Sequence, residues 1–318
     1  MGSRTARQSP WSTPQDLEDV EGREGSEGTA KRRRFPWVKG DPSVPSLMKV
    51  ITPVCNSPEF IRIQHHALQQ HMSCPYEFIV FNDAKTFPDA TNFGDVTVRE
   101  RIEATCKELG ILCIPVLNGH HAYQTSPSHR HADTLKWMLS FMRTYPDEYL
   151  MLDSDMFPVA PVPVEKYRRA PAGAWVLQTR VVGAKEVRYV WPNLFYLDTR
   201  RDLGTLSFDV THGCDTGGAS AEWLKGVESV HGREGIYWIR HLPSCTWGAA
   251  EFPDSVAWCR DALLEFCESD VRNKDGYWCE IYDDVFFHYR AGSNWNGEGG
   301  AIHRENFRRM FDAIVGIC

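Results

Sequence analysis

From residue 47 onward the chain alternates between short apolar runs and segments with helical spacing. The apolar runs, which are typical of buried strands, lie at 48–54, 77–81, 111–116 and 149–152. The helical segments lie at 58–72, at 98–109, from 126 onward and finally at 304–317. Ser57 and Pro58 suit the N-cap and the first position of the first helix. This order predicts an α/β fold in which a mostly parallel sheet lies between layers of helices.

Residues 1–45 differ from the rest in composition, being rich in Ser, Gly, Pro, Glu and Arg with very few aliphatic side chains. Such a segment cannot bury enough apolar surface to offset its ordering entropy, so we expect a disordered tail. Its basic run Lys31–Arg34 is either a solvated charge run or a patch for nuclear import or an anionic surface. The remaining residues, 46–318, are expected to form one domain with halves at 46–160 and 161–318.

Composition narrows the classes of protein that remain. The net charge of −7 and the pI near 6.0 do not suggest nucleic acid as a partner. The ten cysteines are scattered without a C-x-x-C pair, which is typical of free thiols in a reducing compartment. The histidines lack the paired spacing of a structural zinc site. No apolar stretch reaches the length of a membrane span and no signal peptide is apparent, so we expect a soluble, cytoplasmic protein.

Two aspartates directly follow the fourth apolar run. Asp153 and Asp155 are separated by one residue, so their side chains point the same way in an extended segment. Burying either carboxylate without a partner would cost several kcal/mol. Two converging carboxylates at the end of a strand form a hard-oxygen site that suits Mg²⁺ or Mn²⁺, usually shared with a phosphate. Loop capping is the alternative explanation of this triplet.

The two earlier strands also end in residues that could contact a ligand. Thr52, Pro53 and Val54 end the first strand, and Asn82 and Asp83 follow the second. Ligands of parallel α/β sheets bind beyond the carboxyl ends of the strands, where the aspartate pair is also expected. These strand ends therefore predict a shared site. A simple turn is the alternative for the Asn-Asp pair.

The α/β half, the triplet Asp153-Ser154-Asp155 and a late His288 in an apolar run together resemble the GT-A class of nucleotide-sugar-dependent glycosyltransferases. The resemblance covers about residues 47–295, and it is strongest to compact, soluble enzymes of large DNA viruses and bacteria. It implies transfer of a sugar from a nucleotide donor, expected to be UDP-linked, to a hydroxyl acceptor with inversion. It also implies Mn²⁺ or Mg²⁺ held by Asp153, Asp155 and His288. A histidine of the core is the alternative for the last residue.

The resemblance further implies which residues bind the donor. Thr52, Pro53, Val54, Asn82 and Asp83 are expected to line the nucleobase and ribose pocket, and Arg130, His131, Asp133, Asp153, Ser154, Trp191 and Asn193 to contact the diphosphate or the donor sugar. The residues around 130 lie in the first turn of a helix, whose free N–H groups favour an anion; a solvated polar face is the alternative there. The half at 46–160 would bind the nucleotide, and 161–318 the sugar and the acceptor.

Asp215 lies in a glycine-rich loop, where a carboxylate can approach a substrate closely. An inverting enzyme of this class needs one carboxylate to deprotonate the acceptor hydroxyl, and Asp215 is the candidate base. An Asp-Gly turn without a catalytic role is the alternative. Arg290 and the residues Ser293, Asn294 and Trp295 are expected to form a loop that folds over the diphosphate.

Two other functions fit the same pattern. A nucleotidyltransferase shares the α/β half and the paired carboxylates, but it usually has a Gly-rich loop with Lys or Arg after the first strand. The loop at 53–58 has neither Gly nor Lys. A non-catalytic nucleotide- or sugar-binding protein on the same scaffold is the other alternative. The sequence carries no signal for the oligomeric state.

Overall fold

The computed structural model describes residues 47–124, 126–201, 204–244, 252–269, 279–290, 292 and 299–315. The tail predicted at 1–45 and its basic run lie outside these residues, as do Ser293, Asn294 and Trp295. The cysteines of the described part are free thiols, as their spacing predicts. None of the helices in this part combines the length and the hydropathy that a bilayer span requires.

A seven-stranded sheet forms the centre of the described fold. Its strands are β1 (Met48–Val54), β2 (Tyr76–Asn82), β3 (Leu112–Pro115), β4 (Glu148–Leu152), β6 (Ala174–Val182), β7 (Lys185–Asp198) and β8 (Tyr237–Trp238). They lie in the order β3-β2-β1-β4-β7-β6-β8. The first four run parallel, β7 is antiparallel to β4 and to β6, and β8 is parallel to β6. The sheet is therefore mostly parallel, and all four parallel strands end at one edge.

Helices cover both faces of this sheet. They are α1 (Pro58–His71), α2 (Val98–Leu109), α3 (Pro127–Thr144), α4 (Val164–Arg168), α5 (Ser220–His231), α6 (Arg260–Ser269) and α7 (Gly299–Ile314). Val50 of β1 packs in a core cluster with α1, α2 and α6, whereas Ile51, on the opposite face of the strand, packs in a cluster with α3 and α5. The two clusters explain why the strands are apolar without alternation. The predicted α/β fold class is confirmed.

A smaller antiparallel sheet adjoins the first at the end of β4. It contains β5 (Met156–Pro158), β9 (His241–Pro243), β10 (Cys279–Tyr282) and β11 (Phe286–Tyr289), in the order β5-β11-β10-β9. Only residues 153–155 separate β4 from β5. The two sheets therefore meet at the aspartate pair, and β11 pairs with β5 so that His288 lies opposite Met156.

The β6–β7 hairpin extends beyond the carboxyl end of β4. Leu194 of β7 pairs with Leu152, the last residue of β4, whereas residues 185–191 pair only with β6 in the described fold. The register shifts inside the hairpin: Trp175 pairs with Phe195, but Val176 pairs with Trp191. Residues 192–194 of β7 thus form a bulge beside the aspartate pair, and such bulges re-aim side chains next to active sites.

The elements predicted in the first half agree with the structure to within one or two residues. Ser57 does occupy the N-cap position of α1, but its predicted capping bond is wrong, because the hydroxyl donates to Asn56 Oδ1. The last helix begins earlier than predicted, at Gly299. The pattern analysis missed β7 and α5. The boundaries proposed for the domain stay a prediction.

Gln64 ties α1 to the turn between the two sheets. Its side-chain Nε2 donates to the carbonyl of Asp153 at 2.7 Å and to that of Met156 at 2.9 Å, and the side chain is fully buried. The bonds fix the turn to the first helix. Buried acceptors that lose their donor cost free energy, so this contact is expected to matter for stability.

We expect Gln64→Met to lower the free energy of unfolding by roughly 1–3 kcal/mol, since the carbonyls of Asp153 and Met156 each lose the Gln64 donor while the side-chain volume is kept. Chemical denaturation followed by circular dichroism measures the change. Gln70→Met, at an exposed position of the same helix, is the matched control and should stay within about 0.5 kcal/mol of the native protein. Equal stability of the two variants would contradict the assigned role of Gln64.

Candidate functional site

Asp155 and His288 form the buried centre of the site. The turn after β4 closes when Met156 N–H donates to the Asp153 carbonyl at 3.1 Å, and the Tyr289 N–H donates to the Asp155 carbonyl at 2.9 Å. His288 Nε2 then lies 3.4 Å from Asp155 Oδ1, with both side chains less than a tenth exposed. One ligand atom each from Asp153, Asp155 and His288 lies within 4.8 Å of the others. The structure thus brings together the three residues expected to hold a metal.

Glu280 fixes the orientation of the His288 ring. The Oε2 atom of this fully buried carboxylate lies 2.7 Å from His288 Nδ1 and accepts the Tyr282 hydroxyl at 2.9 Å. Its other oxygen lies 3.0 Å from His241 Nε2. A carboxylate can only accept, so Nδ1 of His288 carries a hydrogen and Nε2 faces Asp155. Metal-binding histidines usually have this arrangement, with the outer nitrogen held by a carboxylate.

The electrostatics of the site favour a cation between the carboxylates. Burial and the neighbouring Asp155 carboxylate raise the pKa of Asp153 to about 7. Burial disfavours the charged form of His288, but Asp155 and Glu280 outweigh it and raise the pKa of His288 to about 10. Burial likewise opposes ionisation of Glu280, yet hydrogen bonds from His241 and His288 hold its pKa well below the usual range. Without a metal, a proton on His288 supplies the positive charge that the site requires.

Gly292 completes the surroundings of Asp155. Its N–H donates to Asp155 Oδ2 at 2.7 Å. A Cβ atom at this position would lie 2.8 Å from Asp155 Cβ and 2.8 Å from the Tyr289 ring, closer than real contacts allow. Only glycine therefore lets the backbone approach this carboxylate, and the hydrogen bond leaves Oδ1 to face His288.

A second group with metal-ligand chemistry lies nearby, formed by His120, His121 and Asp133. Asp133 Oδ2 lies 2.9 Å from His120 Nε2 and 3.3 Å from His121 Nε2. The other nitrogen of His121, Nδ1, lies 2.9 Å from the ammonium of Lys85, which can only donate. The hydrogen of His121 is therefore on Nε2, where a metal would bind. Burial and the Lys85 ammonium also lower the pKa of His121, so this group fits a hydrogen-bond network better than a metal.

His131 lies near carboxylates that follow different strands. It lies in the first turn of α3, and its Nε2 is 3.9 Å from Asp153 Oδ1. Burial lowers the pKa of His131, and three carboxylates oppose this effect, those of Asp83, Asp155 and Asp215. Residues from β2, β4 and the glycine-rich loop therefore act on one imidazole. A shared ligand site at these strand ends stays a prediction.

The residues that end β1 and β2 mainly stabilise the fold. The side chains of Thr52, Pro53 and Val54 are buried in the sheet. Asn82 donates from Nδ2 to the Arg99 carbonyl at 3.0 Å, and its Oδ1 accepts from the Ala84 N–H at 3.1 Å. Their part in a nucleotide pocket stays a prediction. The burial of their side chains does not support it.

Asp83 is better placed to contact a ligand. Its Oδ2 accepts from Lys85 at 2.9 Å and its Oδ1 from Asn118 at 2.8 Å, and these bonds hold the buried carboxylate at the edge of the sheet. Lys85 itself is almost fully buried and also donates to the Asp83 carbonyl at 3.0 Å. The Asp83 carboxylate also opposes the lowering of the His131 pKa by burial.

The other predicted residues of α3 belong to a neighbouring network. Arg130 donates to Asp89 Oδ2 at 2.8 Å and to the His121 carbonyl at 2.7 Å, so it holds two loops together. Asp133 is occupied by the two histidines described above. Ser154 is buried in the turn between the sheets. The structure thus places Arg130 and Asp133 beside the site, with their side chains engaged with protein groups.

Asn193 and Trp191 lie on the bulged part of β7. The carbonyl of Asn193 accepts from Asp153 N–H at 2.8 Å. The Asn193 side chain is fully buried, and neither of its polar atoms has a hydrogen-bond partner in the described part of the chain. Trp191 is half-buried and packs edge-to-face on Tyr282, with ring centroids 6.4 Å apart. A buried amide without a hydrogen-bond partner lowers the stability of the fold. Such unsatisfied groups often occur at functional sites.

Asp215 approaches the site from the β6–β7 hairpin side. It accepts from the Tyr189 hydroxyl at 2.8 Å, and Arg180 Nη1 lies 3.8 Å from its other oxygen. About half of the Asp215 side chain is exposed. Gly217, with a φ of +99°, packs its Cα against the β7 backbone, where a Cβ would lie 2.7 Å from the Val190 carbonyl oxygen. The glycine-rich loop is thus what allows Asp215 to lie against the hairpin.

Sequence reasoning missed Glu280, Gly292 and Lys85. Glu280 had a signal that could have been used, since it is one acidic residue in an otherwise apolar strand, Cys279–Tyr282. A carboxylate in such a strand needs a buried partner, which the late histidine supplies. Lys85 and Gly292 had no comparable signal, because each depends on residues far away in the chain.

Comparisons with known proteins add little. No known family model and no curated protein sequence matches this chain. Among solved structures, the X-ray structure of the mannosyltransferase Ktr4p from S. cerevisiae matches with 11% identity and a TM-score of 0.29. The match covers 51% of this chain and 58% of that one, so the chain spans little more than half of that protein's length. A TM-score this low supports no inference about function.

The two candidate metal groups can be separated by mutation. We expect Asp155→Asn to weaken Mn²⁺ binding by more than about 100-fold, because it removes a direct ligand of the metal. Loss of a residue that only holds a ligand in place typically lowers metal affinity by about 10–100-fold. Asp133→Asn should leave the Mn²⁺ affinity unchanged within roughly 3-fold, since Lys85 keeps a hydrogen on the metal-facing nitrogen of His121. Isothermal titration calorimetry measures both. The reverse order of effects would assign the metal to the second group.

Proposed function

We propose that this protein is a metal-dependent glycosyltransferase that transfers a sugar, with inversion, from a nucleotide-sugar donor to a hydroxyl acceptor. The observation that carries the proposal is the convergence of Asp153, Asp155 and His288 at the carboxyl edge of an α/β sheet. A further carboxylate, Asp215, acts with Asp155 on the pKa of the His131 imidazole. A hard-cation site beside a separate, half-exposed carboxylate supplies the two functions that such a transfer needs.

Asp155 and His288 would hold the metal directly, and Asp153 would hold it directly or through water. The residues fit a divalent cation because His288 presents Nε2 to Asp155 while Glu280 binds its other nitrogen. Mn²⁺ accepts this mixture of carboxylate and imidazole ligands readily, and Mg²⁺ prefers oxygen alone. When bound, the cation would neutralise the charge that develops on the leaving diphosphate.

Asp83 and Asn193 are the best-placed partners for the polar groups of the donor. Asp83 is held at the edge of the sheet by Lys85 and Asn118, and its carboxylate oxygens can accept from a ribose hydroxyl. Asn193 has an unpaired amide beside Asp153, which can both donate to and accept from a sugar hydroxyl. In the proposed complex, residues 46–160 bind the nucleotide, and residues 161–318 bind the donor sugar and the acceptor.

Asp215 is the proposed base. The acceptor hydroxyl oxygen forms a bond to the anomeric carbon, the bond between that carbon and the diphosphate oxygen breaks, and the hydroxyl proton moves to the Asp215 carboxylate. Tyr189 and Arg180 support this role because their contacts hold the Asp215 carboxylate in place against the β6–β7 hairpin. Its half-exposed position leaves room for an acceptor to approach.

A panel of nucleotide sugars tests the donor class. We expect one UDP-sugar to raise the melting temperature by several degrees in the presence of Mn²⁺ and to have no effect after chelation, because the diphosphate binds through the cation. Differential scanning fluorimetry reads this out. The Asp155→Asn variant is the control and should lose the stabilisation.

Two other results would replace the proposal. Stabilisation by nucleoside triphosphates alone would indicate a nucleotidyltransferase. Stabilisation by a nucleotide sugar with no hydrolysis or transfer of the sugar over long incubation would indicate a binding protein.

The base can be tested separately from the donor. We expect Asp215→Asn to lower the rate of sugar transfer by about 10²–10⁴-fold, the range typical of a lost general base. Donor affinity should stay unchanged, because Asp215 is not a metal ligand. Asp209→Asn, at an exposed position earlier in the same connection between β7 and α5, is the matched control. Full transfer activity in Asp215→Asn would remove it from the mechanism.

A further inference from the structure

The outer strand of the β6–β7 hairpin has one unpaired edge. β8 pairs with β6 only at Ala174 and Trp175. From Val176 to Val182, β6 pairs with β7 on one side, and no strand of the described residues pairs with it on the other. Among the residues that the structure describes, no backbone ladder thus covers the outward N–H and C=O groups of this seven-residue stretch. Natural proteins usually protect such an edge with charges, proline or a covering element.

The side chains of this edge do not protect it. Leu177, Thr179 and Val181 alternate along one face and are exposed, Val181 to 70%. The stretch contains one charged residue, Arg180, and its charge is compensated by Asp215 on the opposite face. The edge strand therefore has no proline, and the side chains that it exposes on this face are Leu177 and the β-branched Thr179 and Val181. Arg188 and Glu186 of β7 lie opposite Thr179 and Val181, one strand further from the edge. Such a surface matches the side chains of another extended strand.

The opposite face of the same hairpin holds the proposed base. Tyr189 donates to Asp215, and Val182 packs on Gly213, where a Cβ would lie 2.8 Å from Val182 Cγ1. The strand that has the open edge thus also supports the loop that carries the carboxylate. A chain bound along residues 176–182 would lie beside Asp215.

We propose that this edge binds the acceptor as an extended polypeptide, which adds a strand to β6. The acceptor role rests on the proposed function, whereas the binding itself rests on the edge. Alternating donors and acceptors at the spacing of a strand are satisfied by another polypeptide backbone, and neither a saccharide nor a lipid repeats them. The acceptor hydroxyl is then that of a serine or threonine side chain. Its oxygen bonds to the anomeric carbon, the bond from that carbon to the diphosphate breaks, and Asp215 takes the proton.

Hydrogen exchange by NMR tests the edge directly. The probe is a synthetic peptide with seven alternating valine and threonine residues and two glutamates at each end. In an antiparallel pair only alternate residues of β6 direct their N–H groups outward, since the others already bond to β7. We expect the peptide to slow exchange at least tenfold at alternate amides of residues 176–182. The outward amides are those that exchange fast in the free protein.

The matched control is the same peptide with every backbone nitrogen of the alternating stretch methylated, which removes its donors and keeps its side chains. It should give no protection. Equal protection by both peptides, or protection of consecutive amides, would overturn strand addition. Alternate protection that rises with protein concentration when no peptide is present would assign the edge to a second copy of this chain and would overturn the proposal as well.

The two proposals fail separately. Exchange is measured without metal or donor, so it reports on the edge alone. If alternate protection appears but no nucleotide sugar binds, the edge is a polypeptide site and the proposed function is wrong. If a UDP-sugar binds with Mn²⁺ but the amides stay unprotected, the proposed function stands and the acceptor reaches Asp215 in another way. Gain of one sugar mass on a threonine of the peptide, lost in Asp215→Asn, would support both.

Discussion

The buried ionic chain from Asp155 through His288 to Glu280 is the interaction on which the arrangement of this molecule depends. Each of these groups would be expensive to bury alone, and removing one partner of such a chain leaves an uncompensated charge. Asp155 follows the large sheet, whereas His288 and Glu280 come from the small one. The two sheets can therefore pack closely only if these side chains meet. The same requirement that joins the sheets also brings a histidine nitrogen to two carboxylates.

The hairpin of β6 and β7 supplies the remaining half of the site. Because β7 is antiparallel to β4 and much longer, it carries the chain past the edge where the parallel strands stop. Its bulge brings Asn193 beside the aspartates, and its outer part supports Asp215 through Tyr189. One strand thus links the groups that would bind the donor to the group that would accept a proton. The glycines at 213 and 217 are what allow the loop to pack on it.

The sequence was sufficient to predict the parallel half of the fold, because its strands and helices have regular, local periodicity. It also indicated Asp153 and Asp155, since carboxylates at the end of an apolar strand require a partner, whereas His288 was implied only by the resemblance to a family. It could not indicate β7, where Pro192 and Asn193 interrupt the pattern at a bulge that only tertiary pairing explains. Nor could the sequence tell whether Asp133 binds the donor or bonds only to protein groups. That distinction depends on Lys85, which meets His121 only in the folded chain.

The turn of residues 153–155 has a consequence for which cations the site accepts. Asp153 follows a strand of one sheet and Asp155 precedes a strand of the other, and Gln64 and Gly292 bind the turn from opposite sides. The backbone that carries both carboxylates is thus held by both sheets. A rigid pair of ligands selects ions by radius and resists expansion to the higher coordination number that calcium prefers. If these residues hold a cation as proposed, the packing between the two sheets would set the ionic selectivity of the site, at a distance from the ligands themselves.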